Sequence, residues 1–292
     1  MAWLFGEDAM ALPLTPPLDP ADAVAWGDGL VPEQISSITN ESVCITYYRD
    51  AAKAPSLYVD DARTAQDART AQDMQAAQSA AERVAYTVSL VLDMRYGCGG
   101  KIWPAANVLG AYIASMPARS ACGAAMETHP WRGKTVVELG SGTGLLGFFV
   151  AKIGCLCETW ITDQEPMLPL MEQNKRRNAD TMLDPCHIAE LDWGAPLRCV
   201  PEKPDVLLLA DCVYREEAFQ PLVDTMHAMA TPATEILLCY HKRRKADKRF
   251  FALLKRHFSY SHVEDDDLER RRVYNRNGTF LYKVTLLGQG AL

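Results

Sequence analysis

Thr135-Val-Val-Glu-Leu139, Gly140-Ser-Gly142-Thr-Gly144 and Leu145-Leu-Gly147-Phe-Phe-Val150 follow one another without a break, and this stretch decides the fold. A short apolar, β-branched run closed by glycines and followed by an apolar segment to Ile153 reads as a buried strand, a tight turn and a helix. The alternation then repeats downstream. Thr159 to Thr162 is a second strand, with helical character over Glu165 to Asn178, and Pro185 to Leu191 a third. Asp205 to Ala210 is a fourth, with a helix over Glu216 to Met229. Glu235 to Tyr240 is a fifth, with a helix over Ala246 to Phe258, and Gly278 to Leu287 alternates as a last strand. Strands separated by helices of this length imply a parallel sheet with right-handed crossovers, hence an open α/β domain.

Upstream the pattern changes. Residues 1–41 are rich in Pro, Ala and Asp without a sustained period, which reads as a loose extension. Two strand-like segments, Val43 to Tyr48 and Tyr86 to Met94, flank a perfect tandem of Asp61-Ala-Arg-Thr-Ala-Gln66 and Asp67-Ala-Arg-Thr-Ala-Gln72, which runs into an Ala/Gln-rich stretch. A six-residue unit is too short for a solenoid, so a linker or solvated helix is the reading. The expected organisation is an N-terminal extension over 1–85, partly disordered, with a short β-hairpin and a low-complexity Ala/Gln stretch, and a catalytic-type α/β domain over 86–288.

With 292 residues, 48% of them hydrophobic, the chain can bury a full core. No apolar run approaches the ~18 residues that a membrane helix needs. The first residues carry Glu7 and Asp8 and no basic residue, unlike a signal or transit peptide. Nine scattered cysteines without zinc spacing imply free thiols, a reducing compartment and a cytoplasmic location. No metal is expected, since the histidines show no ligand spacing. A net charge of −7 disfavours general nucleic-acid binding. A monomer is expected.

The glycine turn is where a ligand can approach the backbone closely, and in an open α/β sheet that place lies beyond the carboxyl ends of the strands. Asp163 ends the next strand, where a carboxylate can accept hydrogen bonds from ribose hydroxyls. Gly142-x-Gly144-x-x-Gly147 also satisfies the dinucleotide fingerprint, and Asp163 suits NAD equally well. S-adenosylmethionine is favoured by Glu138, whose carboxylate suits a cationic amino-acid group and repels a diphosphate. No lysine follows the glycines as in a nucleoside-triphosphate loop.

Further blocks stand in order: Trp103-Pro-Ala-Ala-Asn-Val-Leu109, Val137 to Leu145, Ile161-Thr-Asp163, Leu191-Asp-Trp193-Gly194 and Ala210-Asp211-Cys-Val-Tyr214. Together with Leu237 to Arg244 and Arg249-Phe-Phe251 they resemble the lysine methyltransferases of methyltransferase family 16. That group methylates valosin-containing protein (an AAA ATPase), heat-shock chaperones and translation elongation factors. The likeness covers about residues 86–287. It implies a seven-strand Rossmann-like methyltransferase sheet with helices on both faces and S-adenosylmethionine as methyl donor. It also implies a lysine of a partner protein as acceptor, and a donor site lined by Trp103, Gly140, Ser141, Gly142, Asp163, Trp193 and Ala210. Glu138 and Gly144 join that set from the glycine turn itself. Trp193 could pack on adenine or be a core residue, and Trp103 could simply start an apolar helix.

Asp211 and Tyr214, three apart at the end of the fourth strand, are the candidate catalytic residues, although an Asp after a strand is often only a helix cap. A free lysine has a pKa of about 10.4, so the acceptor must be made neutral and aligned. Asp211 and neighbouring carbonyls are expected to orient the amine, with Tyr214 and Tyr240 walling its aliphatic stem. Between His241 and Phe258 eight Lys or Arg stand against one Asp, which reads as a solvated helical face or as a dock for an acidic partner. The alternatives are a methyltransferase for a small amine, protein histidine or RNA, and a non-catalytic interaction module that keeps the cofactor fold.

Overall fold

The computed structural model describes residues 39–50, 83–116, 119–120, 127–264 and 268–288. The Pro/Ala-rich start and the hexapeptide tandem lie outside the described residues. The strands are β1 (Glu41–Asp50), β2 (Arg83–Leu92), β3 (Arg119–Ser120), β4 (Glu127–Thr128), β5 (Thr135–Leu139), β6 (Glu158–Asp163), β7 (Cys186–Glu190), β8 (Val206–Ala210), β9 (Glu235–His241), β10 (Phe258–His262) and β11 (Thr279–Leu286). The helices are α1 (Pro104–Ser115), α2 (Leu145–Ile153), α3 (Leu168–Asn178), α4 (Phe219–Met229), α5 (Asp247–Leu254) and α6 (Leu268–Arg276).

Seven strands form one sheet in the order β10-β11-β9-β8-β5-β6-β7. β5 pairs in parallel with both β6 and β8, and β8 with β9. Strand order therefore reverses about β5, and the crevice beyond its carboxyl end is the switch point where α/β sheets bind ligands. The sheet is mixed where sequence reading expects parallel pairing throughout: β11 runs antiparallel to β9 and β10. The helix expected over Ala246 to Phe258 is shorter, because Phe258 opens β10, a half-exposed edge strand whose apolar positions alternate with serines. The acidic and basic runs after it end in α6, where Arg270 is buried and donates to the Ala111 carbonyl and to Ser115.

Period-two alternation sorts the strand side chains into two layers. Val136, Ile161, Val206, Leu208 and Leu237 face a core with α1, α2 and α3. Val137, Leu139, Leu207, Leu209 and Leu238 face the opposite core, with α4 and α5. Each such side chain, wholly removed from water, contributes about 1.5–3 kcal/mol, and this double-sided burial explains why β5 and β8 read as continuous apolar runs.

The β1–β2 hairpin forms its own antiparallel sheet and lays Ile45, Tyr47, Val88 and Leu90 on the α1–α3 layer. Among the described residues no strand lies on the second edge of β2. Side chains close it instead. Asn174 accepts from the Val91 amide at 2.6 Å and donates to the Val91 carbonyl at 3.1 Å. Asn178 does the same for Ser89, at 3.0 and 2.7 Å. Lys152 donates to the Thr87 carbonyl at 2.7 Å. Two asparagines four apart on one face of α3 thus do what a neighbouring strand would do.

Candidate active site

The turn from β5 into α2 is held from below. Thr162 Oγ1 donates to the Glu138 carbonyl at 2.7 Å, the Ser141 amide donates to the Thr162 carbonyl at 2.9 Å, and Ser141 Oγ accepts from the Thr162 amide at 3.0 Å. These bonds fasten the loop to β6. Gly140, Gly142 and Gly144 all take positive φ, at +65°, +53° and +83°, a region that other L-residues enter only at a cost. Space excludes a side chain as well. A Cβ on Gly140 would lie 2.8 Å from the Trp193 ring, and one on Gly142 would lie 2.7 Å from the Gly99 carbonyl oxygen.

Asp163 closes the crevice from β6. Its Oδ2 accepts from the Gly142 amide and its Oδ1 from the Gln164 amide, both at 2.8 Å. Burial raises its pKa against the lowering effect of those two amides. Each oxygen keeps a lone-pair direction for a further donor. Glu138 lies deeper than sequence reading places it. It is 2% exposed, accepts from the Gly147 amide at 3.0 Å, and burial pushes its pKa up to about 8. It therefore braces the first turn of α2 from inside as a neutral acid near pH 7, and attraction of a cationic ligand by its charge is weakened accordingly.

A segment that sequence reading passed over, Cys98-Gly99-Gly100, crosses above the glycine turn; a Cβ on Gly99 would be 3.2 Å from Gly142 Cα. Trp103, which precedes α1, donates its indole N–H to the Cys98 carbonyl at 2.8 Å and so ties this segment down. Two adjacent glycines after a cysteine were the signal available. The Tyr214 hydroxyl is hydrogen-bonded to the Cys98 side chain from the other side, and burial raises its pKa.

Asp211 follows β8 with φ +64°, a left-handed conformation in a residue other than glycine. Its amide donates to the Cys239 carbonyl at 2.8 Å, and its Oδ1 accepts from the His241 amide at 3.2 Å. Arg243 grips both carboxylate oxygens, with Nη1 2.7 Å from Oδ1 and Nη2 on Oδ2. The guanidinium carbon stands 5.1 Å from the centroid of the Trp103 ring and Lys101 Nζ stands 4.2 Å from it. Tyr240 does not wall a channel here: it is 4% exposed, packs on Phe251, and donates its hydroxyl to Asp247 at 3.1 Å.

Gly140, Asp163, Trp193, Ala210, Tyr214 and Trp103 are all half-buried around fully buried Ser141, Gly142 and Gly144. Partly exposed groups thus ring a buried glycine floor. A family model described as lysine methyltransferase matches residues 85–257, more than half of the chain. The chain belongs to the lysine methyltransferase family.

Relatives of this methyltransferase agree. It is 34% identical over 206 residues to protein-lysine N-methyltransferase EFM6 of Saccharomyces cerevisiae, covering 64% of this chain and 81% of the yeast protein. It is 33% identical to protein N-lysine methyltransferase METTL21A of Danio rerio, over 62% of this chain and 78% of that one. With EEF1A lysine methyltransferase 3 of Mus musculus it shares 29% identity, over 62% and 72% of the two chains. The methyltransferase uses S-adenosylmethionine, and its seven-strand sheet with helices on both faces is the fold that the family resemblance implied. No helix among the described residues is long and apolar enough to cross a membrane.

Proposed function

We propose that the protein transfers a methyl group from S-adenosylmethionine to a lysine side chain of a partner protein, with the donor in the glycine crevice and the amine entering at the end of β8. The observation that carries this reading is the joining of a Gly142–Asp163 cradle to the Asp211–Tyr214 strand end in a chain of the lysine methyltransferase family. When bound, the donor supplies a sulfonium methyl group that is already electrophilic. What falls to the protein is positioning and the removal of a proton from the acceptor.

The residues fit that donor. Asp163 has lone pairs free for ribose hydroxyls, and the absence of side chains at Gly140 and Gly142 lets Trp193 and the Gly99 segment close on the turn beside them. Trp193, stacked over Gly140, is an aromatic wall for a purine. Ser141 and Gly144 fix the turn, Glu138 braces it, and Trp103 holds the covering segment. Ala210 lies at the junction of donor and acceptor sides, and Asp211 and Tyr214 border the acceptor.

Residues 86–288 form the catalytic domain in this reading and 1–85 an extension, and the β1–β2 hairpin joins the two because β2 (Arg83–Leu92) crosses the boundary. The acceptor is a translation elongation factor in the first instance, a reading supported by the EEF1A named in one relative; a chaperone or an AAA ATPase is the next candidate. Eight described cysteines are all free thiols, which supports a reducing, cytoplasmic setting. Incubation with labelled S-adenosylmethionine and a cell extract, followed by mass spectrometry of the labelled band, tests the proposal. Label on a lysine of one protein is expected; label confined to histidine or RNA removes it.

A further inference from the structure

The basic run after β9 is read from sequence as a solvated face, and most of it is exposed. Arg243 departs from that reading. Its side chain is 18% exposed and that of Asp211 2%, and the two are locked in a two-pronged ion pair. Arg243 Nη1 also reaches the His241 carbonyl at 3.2 Å, and its own amide is fixed by Asp247 at 2.9 Å. So the guanidinium is anchored at both ends before any substrate arrives.

Resting on the methyl-transfer reading above, we propose that Arg243 is a positioning residue of that reaction: it neutralises Asp211 so that the strand end receives an amine rather than an ammonium. A bare carboxylate beside the acceptor would stabilise the protonated lysine and raise its pKa. The ion pair removes that attraction while leaving carboxylate and carbonyl lone pairs to align a neutral amine. Arg243 also holds Asp211 in its left-handed backbone conformation, which fixes where those lone pairs point.

The surrounding charges favour this arrangement. Lys101, on the segment before α1, adds a second positive group near the Trp103 ring; burial lowers its pKa, with Arg243 adding to the effect. On β9, burial lowers the pKa of His241, again with help from Arg243, so its imidazole is neutral at pH 7. Asp247 of α5 is occupied by the Tyr240 hydroxyl and the amides of Arg243 and Arg244. Cys98 and Tyr214 face the site as neutral groups, their pKa values raised by burial. Asp163 of β6, which also acts on Cys98 and Tyr214, is held by the Gly142 and Gln164 amides on the donor side, so Asp211 is the carboxylate at the end of β8 and Arg243 answers it.

The test is the pH profile of lysine labelling in a heat-treated cell extract with tritiated S-adenosylmethionine, for wild type, R243M, R243K and the double variant D211N/R243M. In R243M the uncompensated carboxylate raises the pKa of the bound lysine, so the acid limb of kcat, read at saturating extract, moves to higher pH. A one-unit move lowers the rate about tenfold at pH 7 and restores most of it by pH 9.5. R243K keeps the charge and keeps the limb in place, even where loss of the second prong lowers kcat. The double variant brings the limb back towards wild type, and its melting temperature exceeds that of R243M, because a lone buried carboxylate is worse than none. A loss in R243M that is the same at every pH, or a displaced limb in the double variant, overturns the inference. Wild-type protein that labels no lysine at all overturns the proposed function itself, and the inference with it; an unmoved limb in an active R243M overturns only the inference.

Discussion

The Asp163 carboxylate accepts the amide hydrogen of Gly142 at 2.8 Å, and this bond joins the carboxyl ends of β5 and β6 beside the switch point, which lies between β5 and β8. One residue therefore both shapes the glycine turn and offers its remaining lone pairs to a ligand. Loss of a hydrogen bond to a charged group costs about 1.5–3 kcal/mol. D163A is expected to weaken binding of S-adenosylhomocysteine by about 10- to 100-fold in isothermal titration calorimetry, following that magnitude. Unchanged affinity would show that Asp163 serves the turn alone.

Gly142 cannot carry a methyl group without moving the segment above it. With φ at +53° and the Gly99 oxygen 2.7 Å from a built Cβ, G142A must push Cys98-Gly99-Gly100 outward. The expected result is lower donor affinity together with faster hydrogen exchange at residues 98–100, both measurable on the same sample. A variant that binds normally with unaltered exchange would contradict the contact.

Glu138 sets a pH dependence of stability. Its folded pKa, up at about 8, lies above its unfolded value, so the unfolded chain releases this proton first as pH rises. Stability is then lost between about pH 4.5 and 8 and levels off above the folded value. E138Q removes the effect and can still accept from the Gly147 amide. It should melt higher than wild type at pH 8, by on the order of 1–3 kcal/mol in stability, with little difference at pH 4.5. Melting curves across that range decide it, and equal slopes for both proteins would refute the assignment.

Asn174 carries the seam between the hairpin and the domain. N174A strands the Val91 amide and carbonyl, and a buried unsatisfied group costs about 1–3 kcal/mol. Lower thermal stability is expected, with hydrogen-exchange protection lost first at Val91 and retained at Leu208 in the central sheet. Uniform loss of protection would mean that hairpin and sheet unfold as one unit.

The sequence made some of this legible and not the rest, for identifiable reasons. β5, β8 and β9 are buried on both faces, so they appear as apolar runs, and the glycines between β5 and α2 betray a turn that needs positive φ. β10 escaped because Phe258-Ser-Tyr-Ser-His262 follows directly on α5, whose helical period seemed to continue through Phe258. Arg243 was hidden inside a run of like charges: such a run averages to a solvated face, while the one residue that turns inward is fixed by a partner 32 positions earlier. Glu138 was visible as a carboxylate near the turn, yet the side of the strand on which it lies depends on α2 packing back over β5. Asp211 and Tyr214 follow the end of β8, as their place after an apolar run predicts, but the ion pair and the tie to Cys98 that occupy them are contacts between distant segments.

The last backbone pair of the hairpin joins Asp50 to Arg83, so the chain between residues 51 and 82 is closed at one pair of neighbouring positions. Closure entropy grows only with the logarithm of length, so one added hexapeptide copy changes it by about 0.2 kcal/mol. The duplicated Asp-Ala-Arg-Thr-Ala-Gln unit thus falls within a closure whose entropic cost hardly registers one copy more or less.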